Sequence, residues 1–359
     1  MPEITLEELE ADPHPAHARL REREPVSWVP VLEAWLVTRR DAAAQVMRDP
    51  VTFTVDDPRF STGQVVGPSM LTRDGDEHAR HRAPFADSLR LAAVRERFDP
   101  IVEEETAALI DAFAHDGRAE LRRGLAGPLS ARVVARLLGL GSTDTATMLG
   151  WYDAIVDSVN VITAGGEPTT SGAAAFDELR TNVGPALGTV GALTADEVVS
   201  NAAVMMFGGI ETTEGMIANF IWHLLTWSET PDANALEESL RLEPAAAVVD
   251  RYATRDVELG GASIPRGALV RVSLAAANRD PAYFPDPDRF DVHRTNARHH
   301  VAFAHGPHVC VGMHLARLEA LTAARRLFER LPGLRLDPDR PSSPRGLVFR
   351  KPPTLHVLW

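Results

Sequence analysis

The sequence predicts a mainly α-helical protein with small β-regions, and three observations carry that expectation. Apolar residues recur at three- and four-residue intervals through most of the chain, the spacing of one helix face. One long helix is marked at its start: Thr194 and Glu197 form a capping box, with Leu193 and Val198 set as a hydrophobic staple. Strand-like sequence is confined to short stretches bounded by turn residues.

The elements follow in chain order. Residues 7–22 carry an amphipathic helical pattern, and 27–38 read as a small hairpin. Helices follow near 40–48, 76–93, 95–115, 128–139 and 144–163. The helix opened by Thr194 runs to about Trp227, roughly 50 Å at 1.5 Å per residue. Its flanks, Asp177–Leu193 and Trp227–Asn234, read as short connections. Leu236–Arg241 is a short helix, and Ala253–Val272 is strand-rich, with turns at Gly260-Gly261 and Pro265-Arg266-Gly267. Pro285–Arg294 is a proline-rich coil, Val311–Arg330 is the last helix, and Leu347–Phe349 with Leu355–Leu358 suggest a final hairpin.

A chain of 359 residues with no linker, repeat or low-complexity tract reads as one domain over residues 1–359. Met1-Pro2-Glu3-Ile4 lacks the basic and apolar regions of a signal peptide, and the apolar stretch Ala202–Ile210 is too short to span a bilayer. A cytoplasmic protein with no membrane partner is expected. The single cysteine excludes an internal disulfide framework. A net charge of −13 argues against a nucleic-acid partner. Lys351 is the only lysine; every other Lys/Arg position is arginine, which reads as GC-rich coding. Arg73, Arg80, His81, Arg82 and Arg90 cluster in sequence. They make either an ordinary solvated helix face or a docking patch for an acidic electron-transfer protein.

The lone cysteine, Cys310, sits in Phe303-Ala304-His305-Gly306-Pro307-His308-Val309-Cys310-Val311-Gly312, just before a helical pattern. A lone cysteine is most often a small buried hydrophobe. Here the helix start stabilises a thiolate, and Gly306 and Gly312 allow a tight turn and the approach of a flat ligand. A single thiolate with no second cysteine suits a haem iron.

Two glycines interrupt the long helix at Phe207-Gly208-Gly209-Ile210-Glu211-Thr212-Thr213. Each costs about 1 kcal/mol relative to alanine, so the pair needs a reason. Gly208, Gly209 and Thr212 share one face, open either to a close helix contact or to a ligand against bare backbone.

The motif Phe-x-x-Gly-x-x-x-Cys-x-Gly resembles the haem-ligand loop of the cytochromes P450, and the glycine-rich helix segment resembles that family's oxygen-activating helix. The resemblance covers about residue 10 to 359 and implies the P450 fold, with haem b (iron-protoporphyrin IX) ligated by Cys310. It makes Gly208 and Gly209 the lining of the oxygen groove, Glu211 the acid and Thr212 the alcohol of a proton relay. Thr213 is then structural. Glu238 and Arg241 match the family's Glu-x-x-Arg, an i,i+3 pair that elsewhere is usually a weak surface contact. In P450s it is buried and joined by an arginine from the following coil, here Arg294. His78 and Arg82 match the family's His-x-x-x-Arg helix, and Arg251 and His308 match its remaining propionate partners. Phe303, Gly306 and Gly312 complete the cofactor loop.

The resemblance further implies monooxygenation of an apolar small molecule by O2, probed through pocket segments Val65–Leu71, Val204–Gly208, Ala245–Val249 and Leu347–Phe349. Electrons would come from a ferredoxin and its ferredoxin reductase. A peroxide-using or redox-independent P450 is the alternative, and a non-enzymatic haem sensor the more distant one. The sequence departs from the family where Asp177–Leu193 and Trp227–Asn234 are short, the first falling where two lid helices are usual. An open distal pocket is expected, suited to a very small substrate or one tethered to a carrier protein.

Overall fold

Pro13 splits the first helical run. Lacking an N–H, it starts a new helix rather than continuing one. The chain therefore opens with α1 (Leu6–Ala11) and α2 (His14–Arg23) instead of one helix over 7–22. The computed structural model describes residues 4–163, 166–188 and 190–359, with their side chains except at 163 and 184–186. Residues 1–3, which carry the reading of the N-terminus, and residue 189 of the Asp177–Leu193 stretch lie outside the described residues.

The expected hairpin forms as β1 (Val26–Val29) and β2 (Ala34–Val37), followed by α3 (Arg40–Arg48). Next come β3 (Phe53–Thr54), α4 (Ser61–Val66), α5 (Gly75–Ala86) and α6 (Leu91–Asp111). The break between the last two lies at Arg90, whose backbone is extended, rather than near residue 94. After β4 (Arg118–Glu120), a π-turn over Arg122–Ala126 leads into α7 (Gly127–Leu137).

Two helices then pair, α8 (Thr145–Thr163) and α9 (Thr170–Leu187). The second corrects the sequence reading, because most of Asp177–Leu193 is helix and not a short connection. Both helices, with α4, lie against α10 (Ala195–Trp227), and Trp151 Nε1 donates to Glu178 Oε2 at 2.6 Å to join the pair. A two-helix cover is present, which overturns the expectation of an unlidded pocket.

Beyond α10 come α11 (Ala233–Leu242), β5 (Val248–Ala253), β6 (Val257–Leu259), β7 (Ala262–Ile264), β8 (Leu269–Ser273) and α12 (Leu274–Ala277). The last elements are α13 (Met313–Arg330), β9 (Arg335–Leu336) and β10 (His356–Leu358). The larger sheet runs β1-β2-β8-β5-β3, with β2 and β8 parallel. The tail is not a hairpin on itself: β10 pairs with β4 and β9, while Phe349 bridges to Ala246.

Helix α10 organises the core. Its C-terminal half packs with α6, α7 and α13 through residues such as Phe98, Ile217, Phe220 and Leu327. Its N-terminal half packs beneath α8 and α9 through Met148, Leu179 and Met206.

Candidate active site

A single opening interrupts the burial of α10. From Val198 to Leu224 only Gly208 is exposed, and a Cβ built there meets nothing within 4 Å. Thr212, one turn on, donates its hydroxyl to Gly208 O at 2.6 Å. A threonine bonding back to the i−4 carbonyl loosens a helix at that point. The two glycines have different reasons to exist. A Cβ on Gly209 would lie 2.6 Å from Val134 Cγ2 on α7, so helix packing explains it. Packing against α7 is thus one reason for Gly209, beside the ligand face expected of it.

The Cys310 loop lies before α13, with Gly312 as that helix's N-cap residue and the Cys310 N–H held by Phe303 O at 2.9 Å. The thiol is accessible to solvent yet densely surrounded by protein. That dense surround pushes its pKa up, while the Gly312 N–H, Arg82 and Arg317 pull it down. Val311, its neighbour, packs against the apolar cluster that contains Ile210. Gly306 is needed for the loop's own path: its φ is +76°, and a Cβ would collide with the Met47 carbonyl of α3. A Cβ on Gly312 meets nothing within 4 Å, which fits the open approach expected there. Phe303 lies under Arg317, whose guanidinium is 4.4 Å from the ring centroid.

Donors without anions gather beside this loop. Arg82 makes no hydrogen bond or ion pair with any described residue, and burial lowers its pKa against the opposing influence of Cys310. Arg251 is 5 % exposed and donates only to the Asp250 carbonyl, at 2.7 Å. His78 Nε2 is buried with no partner, and burial, with His308 and Arg82, lowers its pKa to about 4. The His78 and His308 rings stand 4.3 Å apart. A buried cation or donor without a partner costs several kcal/mol. These residues fit a dianionic group, and haem with its two propionates is one.

His308 has a partner that the sequence reading missed. Its Nε2 lies 2.7 Å from Asp74 Oδ1, which leaves the Nδ1 edge free for a ligand. Burial works against the Asp74 carboxylate, but bonds from His308, Thr54 and Val55 outweigh it and hold its pKa at about 2. Asp74 was invisible as a partner because it stands 234 residues from His308.

The expected ion network around α11 is present. Glu238 takes Arg241 at 2.7 and 2.8 Å and Arg294 at 2.9 Å, and all three side chains are buried. A second network escaped sequence reasoning. Glu237 takes Arg317 at 2.7 and 2.9 Å and His300 at 3.0 Å, tying α11 to α13 and the cysteine loop. Most of the basic cluster is paired with acidic neighbours. Arg73 pairs with Asp56, Arg80 with Glu77 and Glu197, and Arg90 with Asp87, while His81 is buried against Asn201. Among the described residues only Arg82 of this group lacks a partner, and it is half-buried near Cys310.

An exposed thiol at a helix start, with partnerless donors beside it and a long helix opened at Gly208, suits an iron porphyrin in an oxygen-activating enzyme. Comparison with known proteins gives the same class. The Cytochrome P450 family model matches residues 232–358. The chain is 36% identical to cytochrome P450 monooxygenase PikC of Streptomyces venezuelae, over 97% of this chain and 90% of that one. It is 33% identical to mycinamicin IV hydroxylase/epoxidase of Micromonospora griseorubida, over 96% and 94%. Among solved structures it matches P450BioI in complex with hexadec-9Z-enoic acid ligated acyl carrier protein, with a TM-score of 0.86, 27% identity, and 98% and 100% of the two chains covered. The chain belongs to the cytochrome P450 family. It is a monooxygenase with the P450 fold, and its cofactor is haem b. No helix of the described residues is long and apolar enough to cross a membrane.

Proposed function

We propose that this P450 hydroxylates or epoxidises an apolar small molecule of secondary metabolism, as one cytoplasmic haem domain over residues 1–359 driven by a ferredoxin and its reductase. Cys310 is the axial ligand of the haem iron in this reading. The observation that carries it is a conjunction. The only thiol is accessible in the loop before α13, partnerless donors lie beside it, and α10 is open at Gly208.

Haem b, when bound, supplies the redox chemistry that activates O2. The chain's own groups do the rest. The Gly312 N–H and the charges of Arg82 and Arg317 favour the Cys310 thiolate, against the burial that raises its pKa. Arg82, Arg251, His78 and the Nδ1 edge of His308 receive the propionates. Gly208 leaves room for a diatomic molecule against bare backbone. Thr212 Oγ1 holds a proton beside that space, and Glu211 restores it.

The substrate meets an apolar surface. Val66, Met70 and Val204 belong to one buried cluster, and the Phe349 ring meets Phe207 edge-on at 5.5 Å. A hydroxylase/epoxidase among the relatives supports the reaction type. The acyl-carrier complex of a structural neighbour supports a substrate held either free or on a carrier protein.

The test is a spin-state titration of the ferric enzyme with a metabolite library, free and carrier-bound. It is followed by turnover under 18O2 with a surrogate ferredoxin system. One labelled oxygen in the product supports the reading. Turnover with peroxide alone, and none with O2 and electrons, overturns it.

A further inference from the structure

We propose that Lys351 is the positioning residue for Glu211, an inference that rests on the reading of Glu211 as the acid. Lys351 is the only lysine of the chain. Its Nζ lies 2.9 Å from Glu211 Oε1 and 2.5 Å from Glu214 Oε2, bridging two carboxylates on one face of α10. Glu214 has a second cation, Arg122, at 3.0 Å. Among the described residues, Glu211 has Lys351 alone. Arg122, Glu214, Lys351 and Glu211 thus alternate in charge, from a guanidinium that reaches the surface beside Pro353 O to the residue next to Thr212.

A Cβ on Gly215 would clash with Ala245 Cβ at 2.9 Å, so a glycine lets the chain before β5 run close along α10, and Lys351 Cβ lies beside it at 3.6 Å, an ordinary contact. Lys351 pairs with Arg345 across a short turn that also carries Phe349, the ring in contact with Phe207. One turn therefore touches both the apolar pocket wall and the acid. An ammonium on a flexible stem has three rotatable donors. On Glu211 it fixes that carboxylate's rotamer. Turned wholly to Glu214, it leaves Glu211 free to face Thr212. Arginine, with its planar fork, would hold both carboxylates but exchange between them less readily.

Because there is one lysine, protein grown with 13C-lysine gives one lysine side-chain signal, readable in the diamagnetic ferrous CO-bound holoenzyme. That signal is expected to shift in Glu211→Gln; an unchanged signal overturns the contact. Lys351→Met is expected to keep haem content, CO spectrum and substrate Kd. Its product per NAD(P)H should fall several-fold, with kcat reduced and KM unchanged, and Lys351→Arg should restore part of the loss. Should Lys351→Met fold poorly, Lys351→Met with Glu214→Gln keeps the charge balance, and the same several-fold loss is expected. Unchanged coupling in Lys351→Met beside uncoupled Glu211→Gln overturns the positioning role alone. Unchanged coupling in both variants shows instead that Glu211 is not the acid.

Discussion

Arg294 Nε donates to Glu238 Oε1 at 2.9 Å, across 56 residues of sequence. Glu238 thereby holds two arginines, and each arginine spends its other nitrogens on backbone. Arg241 reaches the carbonyls of Asn278, Pro287 and Arg289, and Arg294 those of Pro285 and Asp286. A proline-rich coil has few N–H groups of its own to pair its carbonyls. The two guanidiniums supply those donors, and Glu238 holds both and offsets half their charge, so one carboxylate fixes the segment between α12 and the cysteine loop.

Glu238→Ala is therefore expected to unfold more than a surface pair would. Removing one member of a buried network strands the others, at about 3–5 kcal/mol. The variant should accumulate as haem-free or insoluble protein, judged by the Soret-to-protein ratio and by Tm. Normal haem content with unchanged melting would contradict a buried structural role.

Cys310→Ser tests the iron ligand. The reduced, CO-bound wild type is expected to show the red-shifted Soret band of thiolate ligation. The serine variant should lose that band even where haem stays bound through Arg82, Arg251 and His78. With no second thiol in the chain, a retained band would exclude Cys310 as ligand.

Much of the frame was legible because local signals and tertiary context agree. The Thr194–Glu197 capping box forms, with Thr194 N donating to Glu197 Oε2 at 2.8 Å, and α10 runs to Trp227 as its apolar spacing requires. Helix α9 was hidden because Gly172, Gly184 and Pro185 dilute its periodicity; its burial against α8 and α10 makes the helix. Contacts between distant residues were hidden for a different reason. Asp74 lies at the start of α5, where a carboxylate reads as a helix cap, but it turns to Thr54, Val55 and His308 instead. Lys351 read as a relic of codon bias, and only the fold brings it to Glu211. Gly209 shows the converse: the ligand motif named it, and a neighbouring helix explains it.

Glu319 sets a pH dependence. It is 2 % exposed and its Oε2 has no protein partner, and burial raises its carboxyl well above the usual range. The native state then keeps a proton that the unfolded chain releases above about pH 4.3. Stability falls as pH rises from there toward the native pKa. Glu319→Gln is expected to flatten that slope and to raise Tm at pH 8 more than at pH 5. Asp74 and Glu237 act in the opposite sense: with pKa values held at about 2, they lose their contribution as pH falls through the ordinary carboxylate range toward that value. An identical pH slope in wild type and Glu319→Gln would show that Glu319 is ionised in the folded protein.

Thr212→Ala separates proton delivery from folding. The hydroxyl bonds to Gly208 O at 2.6 Å, at the one exposed position in the middle of α10. Removing it leaves that carbonyl to its ordinary helical partner, and alanine favours the helix, so melting and haem content should hold or improve slightly. Substrate binding, which rests on apolar contact, should also survive. What is lost is the only hydroxyl one turn from the Gly208 opening on that face. Reduced oxygen is then expected to leave as hydrogen peroxide, and product per NAD(P)H to fall roughly ten-fold or more, the usual worth of a placed proton donor being larger still. Thr212→Ser, which keeps the hydroxyl, should retain most of the coupling. Equal coupling in the alanine variant and the wild type, with peroxide unchanged, would leave Thr212 a helix-bending residue and move proton delivery elsewhere.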